Sequence, residues 1–204
     1  DELCRAIVAV YSSSRWADAR RYITNTSHLI EEEKMAVVIQ QVVGQDHDGK
    51  YYPHFSGVAK SFSYYAVSSQ EPEDGVAELA VGLGEMVVSG GASVRFSPGA
   101  PKVQAQYASP RDQHKNSQSE FYALDLTKQR VDLSASPKAS LALVPLAHAE
   151  QDNTLAISTS VYAPEDNVIR DNLNQSGPRV VTFNNILKWD AIPLAPALKK
   201  VLQV

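Results

Sequence analysis

The chain has 204 residues, of which 44% are apolar and 21% charged, enough to bury a hydrophobic core in one domain or two small ones. Lys and Arg number 19 against 23 Asp and Glu, a formal charge of -4, a balance that gives no electrostatic argument for nucleic acid or an anionic membrane as the main partner. A single cysteine, Cys4, excludes an intrachain disulfide and fits a reducing, cytoplasmic setting, and no apolar run approaches the length of a membrane span.

In chain order, residues 2–26 carry Leu3, Ile7, Val10, Tyr11, Tyr22 and Ile23 at helical spacings, with Arg5, Arg15, Arg20 and Arg21 off that face. They predict one amphipathic helix, interrupted only by a slim Ser12–Ser14 face. The start, without an initiator Met and already in a helical pattern, suggests a chain cut from a longer one. Met35–Val43 is an apolar, β-branched run and predicts a buried strand. Asp48-Gly49 is a turn signal, and Phe55–Val67 reads as a second strand, so 35–67 is expected to form a hairpin packed on the first helix. Val76–Val88 predicts a strand that passes through Gly82-Leu83-Gly84 into a short helix. The segment 90–118 is rich in Gly, Pro, Ser and Gln and is the expected boundary between a region 1–100 and a region 119–204. Beyond it, strands are expected near Phe121–Leu126, Ser140–Leu146, Thr154–Tyr162 and Val180–Phe183, with a closing helix at Leu194–Leu202. The class is α+β with mostly antiparallel strands.

Three segments, in order, carry a resemblance. They are the helix Leu3 to Ile23; the run Met35-Ala36-Val37-Val38-Ile39-Gln40-Gln41-Val42-Val43 followed by Ser56-Gly57-Val58-Ala59; and Glu78-Leu79-Ala80-Val81-Gly82-Leu83-Gly84-Glu85-Met86-Val87-Val88-Ser89-Gly90. Each is short, but their order, spacing and extent over about the first 100 residues resemble the ATP-binding domain of phosphoenolpyruvate synthases and pyruvate, phosphate dikinases. The resemblance implies an ATP-grasp-like fold and ATP with Mg²⁺ as cofactors. It implies a phosphotransferase that phosphorylates a histidine en route to phosphoenolpyruvate from pyruvate. The phosphohistidine and pyruvate-binding domains of such a parent are not present here, so the full reaction is not expected of this chain by itself.

The same resemblance implies roles for individual residues. Gln40, Val42 and Val43 are expected along the adenine edge, and Glu78 as the metal carboxylate, since Mg²⁺ takes one or two carboxylates beside phosphate oxygens. Read without the resemblance, 40–43 is a core strand and Glu78 a surface carboxylate. Gly82 and Gly84 allow a close backbone approach, and Glu85 is expected at the rim or at a helix start. This is not a Walker loop, since Gly-Lys-Ser/Thr is absent. After Gly90 the family often places a Gln and a Pro-Asp pair; here the chain reads Gly91-Ala92-Ser93-Val94-Arg95-Phe96. Arg95 is the candidate replacement, a guanidinium suited to forked phosphate contact, with Lys60 and Lys102 as weaker cations of the same kind. The loss of those polar residues also leaves open a non-catalytic interaction or regulatory module that keeps the fold. His28, His47, His54, His114 and His148 show no metal-ligand spacing.

Overall fold

The computed structural model describes residues 2–25, 36–66, 70–100, 103–128, 138–151, 154–171, 174 and 176–184. The closing helix expected at Leu194–Leu202, like Met35 and Lys102, lies outside them. The chain divides into two compact units: Asp1–Val43 with Lys128–Ser140, and Gly44–Thr127 with Leu141–Val204. The expected boundary segment 90–118 falls within the second of these.

In the first unit the single long helix of the sequence reading is two: α1 (Glu2–Ser13) and α2 (Ala17–Thr24). The serine run is the reason. Ser12, Ser13 and Ser14 each donate their hydroxyl to the carbonyl three residues back, on Ala9, Val10 and Tyr11 at 2.9, 2.7 and 3.1 Å. Such local bonds compete with the helical ladder and end it. Trp16, in an extended conformation, then starts α2. Residues 36–43 form no strand, which corrects the expected Met35–Val43 strand and its hairpin with 55–67. Val38, Ile39 and Val43 are exposed, so β-branched composition alone did not find a partner edge.

The hairpin that does form lies in the second unit and is shorter. β1 (Gln45–His47) and β2 (Lys50–Tyr52) pair around Asp48-Gly49, both at positive φ (51° and 80°), the backbone that a two-residue hairpin turn requires. Asp46 Oδ1 accepts the Gly49 N–H at 2.8 Å and fixes the turn.

Three antiparallel sheets make up the rest of this unit. β3 (Phe55–Lys60), β4 (Val76–Val81) and β5 (Val94–Phe96) form a meander in the order β3-β4-β5, with a four-residue helix α3 (Glu85–Val88) between β4 and β5. β6 (Glu120–Asp125) and β7 (Leu141–Pro145) complete a sheet of order β1-β2-β6-β7. β8 (Thr159–Ala163) is flanked by β10 (Arg179–Val181) and β9 (Val168–Arg170). The α+β class with mostly antiparallel strands is the observed one.

Some boundaries shift from the sequence reading. Residues 154–156 are a 3-10 turn and not strand, and Leu146 opens the helix α5 (Leu146–Gln151) instead of closing β7. The sequence reading missed β9, α5 and the helix α4 (Pro110–Asn116). The last was legible: Ser109 accepts the Asp112 N–H at 3.1 Å as its N-cap, and Pro110 takes the first helical position.

One core joins the sheets. Tyr52, Val81, Phe121, Val181 and Phe183, from all three, are at most 1% exposed and belong to one cluster with Val94, Phe96 and Val144. Its aromatic rings interlock: Tyr52 meets Phe121 at 4.7 Å between centroids, and Phe55 meets Phe183 edge-on at 5.8 Å.

Candidate functional site

The alternation of side chains along a strand decides which residues of the β3-β4-β5 meander face the core. The registers are Val58↔Glu78, Lys60↔Val76, Glu78↔Arg95 and Ala77↔Phe96. Ala77, Leu79, Val81, Val94 and Phe96 therefore look inward, as their place in the core cluster confirms. Ser56, Val58, Lys60, Val76, Glu78 and Arg95 share the opposite, open face.

On that face Lys60, Glu78 and Arg95 line a pocket of about 240 Å³, together with the aromatic side chains of Phe62, Tyr64 and Tyr65. A second pocket, of about 170 Å³, shares Tyr65, Val76 and Arg95 with it and extends to Phe96 and Gln106. Two cations and one carboxylate thus converge on an apolar floor, the composition of a site for an anionic ligand with an apolar part.

Glu78 does not form an ion pair with Arg95, although the two are direct cross-strand neighbours. Its Oε1 accepts the Ser93 hydroxyl at 2.5 Å instead. Among the described residues no ion pair holds the guanidinium of Arg95 or the ammonium of Lys60. Glu78 is half-buried, while Arg95 and Lys60 are exposed.

The exit of β4 is built from the glycines. Gly82 has φ 79° and is buried; an added Cβ would come within 2.5 Å of Phe121 Cδ2 and 2.8 Å of the Tyr122 carbonyl. Its carbonyl accepts the Ser56 hydroxyl at 2.6 Å, and Leu83 N–H donates to Tyr122 O at 2.9 Å. Gly84 starts α3 with helical dihedrals and has open space about it, the nearest atom to an added methyl being Ser56 Oγ at 3.6 Å. Glu85 sits in the first turn of α3, and its Oε1 accepts the Ser89 hydroxyl at 2.7 Å. It lines neither the pocket that holds Glu78 and Arg95 nor the smaller one beside it. Gln40, Val42 and Val43 belong to the first unit, where all three are exposed.

Sequence reasoning missed Gln118 and Gln106. Gln118 is buried, and its amide accepts Val81 N–H at 2.9 Å and donates to the carbonyls of Val81 (3.0 Å) and Glu120 (2.9 Å). It stands in for a strand residue where the β4 ladder ends. Gln106 does the same for the outer edge of β5. The Gln-rich stretch of 104–118 was the available signal, and it looks like linker composition unless each amide is assigned a backbone partner.

The model of the family described as "Pyruvate phosphate dikinase, AMP/ATP-binding domain" matches residues 1–159. The chain belongs to that family. The match runs from α1 to the start of β8, and it includes every residue of the Lys60–Glu78–Arg95 face. No curated protein and no solved structure matches the chain. No helix among the described residues is long and apolar enough to cross a membrane.

Proposed function

We propose that this domain binds ATP with its phosphates on the open face of the β3-β4-β5 sheet, as the nucleotide-binding part of a cytoplasmic phosphotransferase. In that enzyme the γ-phosphoryl passes to a histidine and onward toward phosphoenolpyruvate formation from pyruvate, with the phosphohistidine and pyruvate-binding domains as partners. The observation that carries the reading is the convergence of Lys60, Glu78 and Arg95 on one sheet face within a chain of the AMP/ATP-binding family.

Each residue has a defined task. Arg95 offers a forked donor set to phosphate oxygens, and Lys60 a mobile point charge beside it. Their positive potential is only half offset by Glu78, which suits a polyanion. Among the described residues no cluster of three or more His, Cys, Asp or Glu could hold a metal alone. Mg²⁺ keeps waters and takes one or two carboxylates when phosphates supply the other oxygens. Glu78 would hold it; when bound, the ion neutralises charge on the transferring phosphoryl group. Gly82 and Gly84 shape the turn behind this carboxylate, and Glu85 remains at the rim. The assignment of the adenine to Gln40, Val42 and Val43 rests on the family resemblance alone.

A second reading, a module that keeps the fold for interaction or regulation, is favoured by the Gly91–Val94 stretch. Two of those four residues are Gly and Ala, and Val94 faces the core. Calorimetric titration of ATP with and without Mg²⁺ separates the two. We expect Glu78→Gln to abolish the Mg²⁺-dependent gain in affinity, by about tenfold or more, and to leave Mg²⁺-free binding nearly unchanged. Absence of ATP binding by the wild-type protein, or an unaltered Mg²⁺ gain in Glu78→Gln, overturns the catalytic reading in favour of the second.

A further inference from the structure

The open face holds two opposite charges on adjacent strands that do not meet, and the reason lies one layer further out. Arg95 N–H donates to Gln106 Oε1 at 2.8 Å, and Gln106 Nε2 donates to the Ser93 carbonyl at 2.9 Å. Both bonds lie on the edge of β5 away from β4. Since the Arg95 amide points outward, Arg95 and Glu78 form a non-hydrogen-bonded antiparallel pair, the type whose side chains stand closest together. Opposite charges so placed attract each other across the strands. Here the Ser93 hydroxyl takes Glu78 Oε1 first.

We propose that Gln106 is a positioning residue of the phosphate site. By clasping Ser93 and Arg95 through their backbones it holds Ser93 where its hydroxyl captures Glu78, and so keeps the Arg95 guanidinium available to an incoming phosphate. Gln106 bonds to the backbones of Ser93 and Arg95 and acts through them. The inference rests on the reading of this face as the ATP phosphate site. Two features support it. Gln106 lines the smaller pocket together with Arg95, so its clasp also forms a wall of the site. Its amide uses both its donor and its acceptor on one strand edge, which neither an ionised acidic side chain nor a basic one could do.

The test is a double-mutant cycle on MgATP affinity in the purified protein. Gln106→Met fills the same space without either hydrogen bond. We expect it to weaken MgATP binding about tenfold. The loss should vanish in an Arg95→Met background, because the side chain it acts through is gone. A merely structural role predicts equal losses in both backgrounds, and that result overturns the proposal, as does wild-type affinity in Gln106→Met. Should the wild-type protein bind no ATP, the phosphate-site reading falls. The clasp is then read from amide exchange at Arg95. Unchanged exchange in a folded Gln106→Met variant removes the positioning role too, and faster exchange keeps it for another anion.

Discussion

Residues 36–43 and β4 look alike in the sequence: two short runs of Val, Ala, Ile and Leu, each part of the family resemblance. β4 makes ladders on both of its edges, to β3 and to β5, and buries Ala77, Ala80 and Val81. The 36–43 run makes none and leaves Val38 79% and Val43 78% exposed. A strand is therefore not a property of a run of residues. It requires edges that complement it and something that fixes where it stops. For β4 those are the meander on either side, the Gly82 turn and the Gln118 clasp.

Removing that stop is the strongest way to erase the difference. Gly82→Ala forces a side chain into positive φ and against Phe121, and should destabilise the protein by roughly 2–4 kcal/mol. Gly84→Ala, two residues on, meets nothing closer than 3.6 Å and serves as the control. Urea unfolding of the pair measures both; equal midpoints would mean that the Gly82 turn does not hold β4. Gln118→Leu keeps the bulk but strands the N–H and C=O of Val81 without partners, for a loss of about 1–3 kcal/mol by the same measurement.

A smaller effect tests the short hairpin that replaced the predicted one. The side chain of Thr127 and then the Lys50 ammonium, 2.9 Å away, pull the Asp125 carboxyl down to about 2 from its ordinary value of 3.8. The folded state therefore favours the ionised form. The stabilisation is present above pH 4 and is lost as pH falls from 4 toward 2. Denaturant midpoints of wild type and Asp125→Asn should differ at pH 6 and converge near pH 2; a constant gap across that range would contradict the assignment. Smallest of all, Val38→Ser should change stability by no more than about 0.5 kcal/mol, since Val38 is solvent-facing; a larger loss would reveal a partner for this run.

These contrasts mark how far the sequence could be read. Short-range signals were sound. Asp48-Gly49 gave a hairpin turn, the glycine after Val81 a strand end, and Val76–Val88 a strand followed by a short helix. Pairing between distant segments was not legible, because apolar residues do not state which edge they will meet. A strand Phe55–Val67 is expected beside 35–43; the strand that forms, Phe55–Lys60, instead pairs with β4. The serine run reads in sequence as a slim face of one helix, and its power to split that helix depends on three hydroxyls bonding back into it. At the candidate site, Glu78, Arg95 and Lys60 were each singled out from sequence, and strand register brings them to one face. Their control by Ser93 and Gln106 could not be read, since a glutamine in a linker-like stretch carries no sign of the backbone it will serve.

The pairing of β2 with β6 has a consequence for the order in which the molecule is assembled. Lys50 and Tyr51 find Asp125 and Leu124 across roughly 70 residues of chain, whereas β3, β4 and β5 pair in succession through local connections. The meander that bears Lys60, Glu78 and Arg95 therefore has the shorter loops to close. Its far end is sealed by Gln118 and Phe121, because they close over Val81 and Gly82. The charged face thus rests on local pairings, and the core behind it on residues from further along the chain.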